Sequence, residues 1–96
     1  MLSVVVVNHL GAFRLQCVFN NGCAKEIDFA RHWDKLSGPI FQPLCDPVFF
    51  AHVTLPPDSE TIEWPNGADL AAEFLYKIGK TMAVPHNEYR VPAMAS

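Results

Sequence analysis

The sequence predicts an α+β domain in which one principal C-terminal helix packs on a mainly antiparallel sheet of about five short strands, with one or two short helical turns. Three observations lead to this fold class. Short apolar runs rich in β-branched and aromatic residues are separated by turn signals. The run Asn20-Asn21-Gly22 is typical of a tight hairpin. Residues 64–70 pass from a strand through a turn into a stretch with helical periodicity.

The first strand is predicted over residues 4–7, where consecutive valines end at Asn8. An uninterrupted apolar run of this kind indicates burial on both faces or a core position in a small sheet. Residues 9–11 then form the connection, and the second strand follows over residues 14–19. Polar and apolar side chains alternate in this second strand, so one face points toward the core; its members are Leu15, Cys17 and Phe19.

The third strand is predicted over residues 25–29, and its register follows from the faces of the two strands. A two-residue turn would place Leu15 opposite Asp28, an acid opposite the apolar face. A three-residue loop over residues 20–22, with its glycine in the left-handed region, places Leu15 opposite Ile27. Because directly opposed residues share a face, the three-residue loop is favoured.

Shorter elements follow in the middle of the chain. Residues 30–36 are mixed in character and can hold one or two helical turns. Asp46 at a cap position followed by Pro47 at the first helical position predicts a single turn of helix. Residues 51–55 and 61–64 are predicted as the fourth and fifth strands.

The principal helix is predicted to run from Asp69, its N-terminal cap, to about Ile78, with Gly79 ending it. The periodic pattern stops after this point, and two prolines follow. We therefore expect one domain over residues 1–80 and a mobile C-terminal tail over residues 81–96. An amphipathic stripe faces the sheet; its members are Leu70, Phe74, Leu75 and Ile78.

Charge and composition narrow the classes of function. The formal net charge is −3, the opposite of the basic footprint of a nucleic-acid binder, so direct binding of nucleic acid by the chain alone is disfavoured. The first residues lack the basic region of a signal peptide, and their apolar stretch is too short to span a bilayer. We expect a cytoplasmic protein without a membrane partner, with its three cysteines reduced and acting as small apolar residues.

The reactive side chains do not form a recognisable catalytic or metal-binding pattern. The histidines lack the spacing of a zinc finger, and the cysteines do not form a Cys-x-x-Cys pair. The aspartates stand at turns and caps, where local backbone bonding explains them, and no phosphate-binding loop occurs. The sequence therefore predicts a non-enzymatic protein without a metal or a cofactor. These reactive side chains are His9, His32, His52, His86, Cys17, Cys23, Cys45, Asp28, Asp34, Asp46 and Asp58.

Two groups of residues are candidates for a surface or a structural role. Tryptophan and arginine are enriched at interface hot spots, so Arg31, His32 and Trp33 are a candidate interaction surface; alternatively, Trp33 folds inward and its neighbours are solvated. The second group is interpreted as a structural motif with a buried indole, a left-handed glycine and a capping carboxylate, although an indole beside a carboxylate could also be a recognition surface. Its members are Trp64, Asn66, Gly67 and Asp69.

The spacing of these residues resembles a small bacterial family catalogued as domain of unknown function 2442, over about residues 4–76. The most specific part is the run from Ile62 to Leu70. Where the family has Pro or Ser in the first helical turn, this chain has Ala71-Ala72. The residues that carry the resemblance are Gly22, Asp28-Phe29, Gly38-Pro39-Ile40-Phe41, Leu44, Asp46, Phe49, Val53, Ile62-Glu63-Trp64-Pro65-Asn66-Gly67-Ala68-Asp69-Leu70 and Leu75-Tyr76.

The resemblance implies a binding or regulatory role, because such proteins are often encoded beside another small protein in an arrangement like a toxin–antitoxin pair. We therefore expect a protein-interaction module, the antitoxin-like half of such a pair, whose acidic surface binds a small basic protein. Some family members are fused to a helix-turn-helix domain, so the alternative is a nucleic-acid-associated transcriptional regulator that acts with a partner. The sequence does not distinguish a monomer from a homo-oligomer formed through an exposed strand edge.

Overall fold

The domain is built on a four-stranded antiparallel sheet in the order β1-β2-β3-β4, with two α-helices and three 3₁₀ segments. A computed structural model describes residues 1–82. The predicted α+β class and antiparallel sheet are confirmed, but the sheet has four strands rather than five. The strands are β1 (Val4–Gly11), β2 (Arg14–Phe19), β3 (Ala24–Asp28) and β4 (Lys80–Met82); the helices are α1 (Pro47–Phe50) and α2 (Ala72–Ile78); the 3₁₀ segments are Phe29–Arg31, Trp33–Lys35 and Pro39–Cys45.

The β2–β3 hairpin has the register predicted from the faces of its strands. Leu15 lies opposite Ile27, and both side chains are fully buried. Gly22 has a φ of +86°, and its N–H donates to the Phe19 carbonyl at 2.9 Å, which closes the three-residue loop. The left-handed conformation explains the glycine at this position, since other residues rarely adopt it.

Strand β1 differs from its prediction in length and in environment. It continues through residues 9–11, which were expected to be a connection, and the turn falls instead at Ala12, whose φ is +47°. Within residues 1–82, β1 pairs only with β2 and forms an edge of the sheet. Val5 is 37% exposed, so the expectation of burial on both faces is wrong. A run of valines is compatible with an edge strand because β-branched residues favour extended backbone wherever one face is covered.

The two strands predicted over residues 51–55 and 61–64 are reduced to a single bridge. Thr54 and Glu63 exchange two backbone hydrogen bonds of 2.9 Å, and the pairing extends no further. Pro56, Pro57 and Pro65 adjoin the two segments, and proline has no N–H to donate to a ladder. The side-chain alternation of these segments is real, but their backbone cannot form a regular strand pair.

The fourth strand of the sheet comes instead from the end of the described chain. In β4, Lys80 pairs with Glu26 and Met82 pairs with Ala24, both on β3. The tail predicted from residue 81 thus begins with two residues of a strand, and the rest of that prediction, residues 83–96, lies outside the described residues.

The core lies between the inner face of the sheet and the segments that follow it. Its centre is an aromatic cluster in which the ring centroids of Phe29, Phe50 and Trp64 are 5.1 to 5.9 Å apart. Burial of these large side chains is the main stabilising contribution in a domain of this size. The other buried members of the core cluster are Val4, Leu15, Cys17, Phe19, Ile27, Leu44, Ile62, Ala68, Leu70, Ala72 and Leu75.

Helix α2 begins later than predicted. Its first residue is Ala72, and Ala71 occupies the N-cap position without a side-chain hydrogen bond. Asp69 is therefore not the cap of this helix, and the prediction of that role is wrong; its backbone instead forms an isolated bridge with Glu63. That bridge holds residue 69 in extended backbone and moves the helix start two residues along the chain.

Across residues 1–82, no helix has the length and apolar character that crossing a membrane requires.

The vacant cap of α2 predicts a stabilising substitution. Ala71→Ser supplies a hydroxyl that accepts a backbone N–H of the first helical turn, which raises the free energy of unfolding by about 1 kcal/mol. Chemical denaturation of the full-length chain measures this change. Asp69→Ala serves as the comparison, with an expected change below about 0.5 kcal/mol. If Asp69→Ala lowered the free energy of unfolding by about 1 kcal/mol, Asp69 would instead be the cap of α2.

The close contact between the end of α2 and β3 predicts a destabilising substitution at Gly79. A Cβ atom at Gly79 would lie 2.8 Å from Cβ of Lys25 and 3.1 Å from Cγ1 of Ile27, because the helix end contacts β3 closely. Gly79→Ala should therefore lower the free energy of unfolding by about 1–3 kcal/mol, measured by denaturation. Thr81→Ala, at an exposed neighbouring position, should change it by less than about 0.5 kcal/mol. Equal stability of Gly79→Ala and the parent would show that β3 and α2 are not in close contact.

Candidate functional site

The cysteines lie apart from one another in three different environments. Cys17 is fully buried on the inner face of the sheet, and burial raises the pKa of its thiol to about 12. Cys23 is half-buried and accepts a hydrogen bond from the Tyr76 hydroxyl at 3.4 Å. Cys45 is exposed. A thiol with a raised pKa is protonated at neutral pH and is a poor nucleophile, so Cys17 is a core residue.

The histidines and acids do not converge either. Within residues 1–82, no group of three or more His, Cys, Asp or Glu side chains is placed to hold a metal ion. Nε2 of His9 forms a hydrogen bond of 3.0 Å with the carbonyl oxygen of Ala12, and the His9 ring packs against that of Phe50. His52 is exposed. His86 lies outside the described residues.

The predicted interaction surface Arg31, His32 and Trp33 is divided by the fold. Trp33 is half-buried and turns toward the core, with its ring centroid 5.3 Å from that of Phe13 and 6.0 Å from that of Phe29. Arg31 points outward, and its Nε lies 3.6 Å from a carboxylate oxygen of Asp28. The Trp33 side chain is therefore largely engaged within the fold, whereas Arg31 remains at the surface.

Arg31 and His32 line a cleft of about 200 Å³. It contains both signs of charge, and both of its carboxylates are paired: Glu26 with Arg14 at 3.1 Å and Asp28 with Arg31. Nδ1 of His32 is buried without a hydrogen-bond partner. A cleft with balanced and partly paired charges exerts only a weak field on a charged ligand. Its lining consists of Glu26, Asp28, Arg31, His32, Ile78 and Lys80.

The group Trp64, Asn66, Gly67 and Asp69 joins the middle of the chain to the core. Trp64 is 1% exposed, and its indole Nε1 donates to the Phe50 carbonyl at 3.0 Å. Gly67 has a φ of +88° in the turn that follows. Asn66 accepts the N–H of Ala68 at 3.1 Å and donates to the Ile40 carbonyl at 2.9 Å.

Through these hydrogen bonds, two members of the group, Trp64 and Asn66, hold neighbouring segments in place. The indole anchors α1, and the Asn66 amide anchors the start of the 3₁₀ segment Pro39–Cys45. Asp69 is exposed and takes no part in either contact.

Residues 4–81 match the family described as protein of unknown function (DUF2442). The chain belongs to this family. The resemblance noted in the sequence is thereby confirmed, and the match covers all the strands and helices described above except the last residue of β4. Comparison with curated proteins gives no match, and comparison with solved structures gives none.

Charge is segregated along this DUF2442 chain, a feature that the prediction from net charge does not contain. From Leu36 to Tyr76 there are six acidic residues and no Lys or Arg. Five of the six are exposed, and Glu63 is half-buried. The signal was visible in the order of charges along the chain, whereas the net charge alone conceals it. The six acids are Asp46, Asp58, Glu60, Glu63, Asp69 and Glu73.

The environments of the cysteines predict their order of reaction with a thiol reagent at pH 8. Cys45 should be labelled first and Cys23 more slowly, because exposure controls access to the sulfur. Cys17 should resist labelling, since a pKa of about 12 leaves only a small thiolate fraction at this pH. Peptide mass spectrometry reads the sites, and labelling in guanidinium chloride shows that all three react when unfolded. Rapid native labelling of Cys17 would contradict its place in the core.

Proposed function

We propose that this DUF2442 protein is a non-enzymatic protein-interaction module that binds a small basic protein. The observation that supports the proposal is the separation of charge within the fold. The stretch from Leu36 to Tyr76 carries acids without a single Lys or Arg, and it forms the Pro39–Cys45 segment, α1, the Trp64 turn and most of α2.

The basic residues of the described chain lie in the other part of the fold, on the sheet, the first 3₁₀ segments and the end of α2. Arg14 and Arg31 are engaged there by Glu26 and Asp28. The acids of the middle stretch have no cation from their own stretch to offset them. An uncompensated field of one sign attracts a partner of the opposite sign and accelerates its association.

Within this proposal, the protein is the antitoxin-like half of a two-gene pair, as the neighbourhood of such genes in the family suggests. An acidic module of this kind would cover the cationic surface through which its partner contacts RNA or DNA. The same acidic stretch repels phosphate, so it gives no support to direct binding of nucleic acid by this chain.

Purification of the tagged full-length protein from its native host tests the proposal. A small basic protein recovered at near-equal stoichiometry, and retained after nuclease treatment, is the expected result. Recovery of nucleic acid without a protein would favour the transcriptional regulator instead. Turnover of a small substrate with no protein partner would contradict the proposal.

Reversal of exposed charges on the acidic stretch should weaken the complex with the recovered protein. Glu60→Lys combined with Glu73→Lys is expected to lower the affinity at least about tenfold at low salt and to flatten its dependence on salt concentration. Calorimetric titration at several salt concentrations measures both effects. The matched control is Lys35→Glu combined with Lys77→Glu, which reverses two exposed charges that flank the acidic stretch and should not weaken binding. Equal losses in both variants would show that the acidic stretch is not the binding surface.

A further inference from the structure

The segment 39–48 presents an apolar surface that the core does not use. Four large apolar side chains are exposed in residues 1–82, and two of them are here: Ile40 at 44% and Val48 at 70%. Three prolines in the same segment are also exposed, as is Cys45; the prolines are Pro39, Pro43 and Pro47. Single exposed apolar residues are ordinary on protein surfaces, whereas half of the exposed large apolar side chains of residues 1–82 fall within these ten residues.

The segment is held firmly by the rest of the fold. Leu44 and Phe50 are fully buried and anchor its inner side. The Asp46 carboxylate accepts the N–H of Val48 at 2.9 Å and fixes the start of α1, while the Asn66 amide holds the Ile40 carbonyl. Each proline restricts its own φ. A surface ordered before binding loses little conformational entropy when a partner arrives, which favours affinity.

The charges around the segment determine which partner fits it. Asp46 lies within the segment, and Asp69 follows the Trp64 turn that is bonded to Ile40 through Asn66. No Lys or Arg occurs in the stretch from which these elements are built. A second copy of this chain would bring the same acids to the contact, and like charges across an interface are unfavourable. The anionic surface of a membrane is excluded for the same reason.

We propose that segment 39–48 is a docking surface for a partner segment whose apolar side chains are flanked by lysines or arginines, with Ile40 and Val48 as the main contacts. This inference rests on the proposed function and adds the contact surface and the chemistry of the segment that binds there. The apolar side chains of the partner would cover Ile40 and Val48, and its cations would meet the acids around them.

Photo-cross-linking in the native host tests the location. The photoreactive residue p-benzoylphenylalanine is placed at position 48 of the full-length chain and, as a control, at position 5 on the exposed part of β1. The expected result is a cross-link from position 48 to a peptide that contains both apolar residues and at least two Lys or Arg, with none from position 5.

Affinity measurement tests the energetic role. Val48→Ser and Ile40→Ser, titrated against the basic protein recovered with the parent chain, should each bind at least tenfold more weakly, since an apolar contact is replaced by a small polar side chain and no charge is added. Val5→Ser should bind within twofold of the parent. Thermal unfolding of each variant identifies any loss that comes from misfolding.

The outcomes separate the two proposals. If the basic protein binds but its cross-links and affinity losses fall outside residues 39–48, this inference is overturned and the proposed function stands. If no basic protein binds the parent chain at all, both are overturned. A cross-link from position 48 to a peptide without Lys or Arg overturns the proposed chemistry of the contact.

Discussion

The indole of Trp64 is the contact on which the rest of the domain depends. The core cluster covers the inner face of the sheet, and the chain between β3 and α2 that packs there has no regular strand and only one turn of α-helix. Such a segment has few internal hydrogen bonds and must be held by its side chains. Trp64 packs on Phe29 and Phe50 and donates to the Phe50 carbonyl, so one buried side chain joins α1 and the turn after Trp64 to the 3₁₀ segment that follows β3.

The parts of the fold that could be predicted from sequence are those decided by neighbouring residues. Face parity and a glycine were sufficient to choose the β2–β3 register, and the pair Asp46-Pro47 was sufficient to locate α1. The errors occur where a distant contact competes with a local preference. Asp69 has the chemistry of a helix cap, but its backbone bridge to Glu63 keeps it extended, and β4 depends on a partner more than fifty residues earlier in the chain.

The candidate site shows the same division. The residue types of Arg31, His32 and Trp33 suggested a surface, but which way a tryptophan turns is decided by the rings available to it, and Phe13 and Phe29 lie on the inner side. The acidic stretch could have been found in the sequence, because the order of charges survives any fold. The exposure of Ile40 and Val48 could not, since it depends on Leu44 and Phe50 taking the buried positions in this part of the chain.

The pairing of β4 with β3 has a consequence for how the protein is made. Strands β1 to β3 form a meander of local contacts within the first 28 residues, whereas the strand that completes the sheet ends at residue 82. During synthesis the outer edge of β3 thus has no partner strand until nearly the whole domain has left the ribosome, and the meander alone lacks Phe50 and Trp64 for its core. A chain that lacked residues 80–82 would therefore leave the outer edge of β3 unpaired, although Phe50 and Trp64 would still be present to cover the inner face of the sheet.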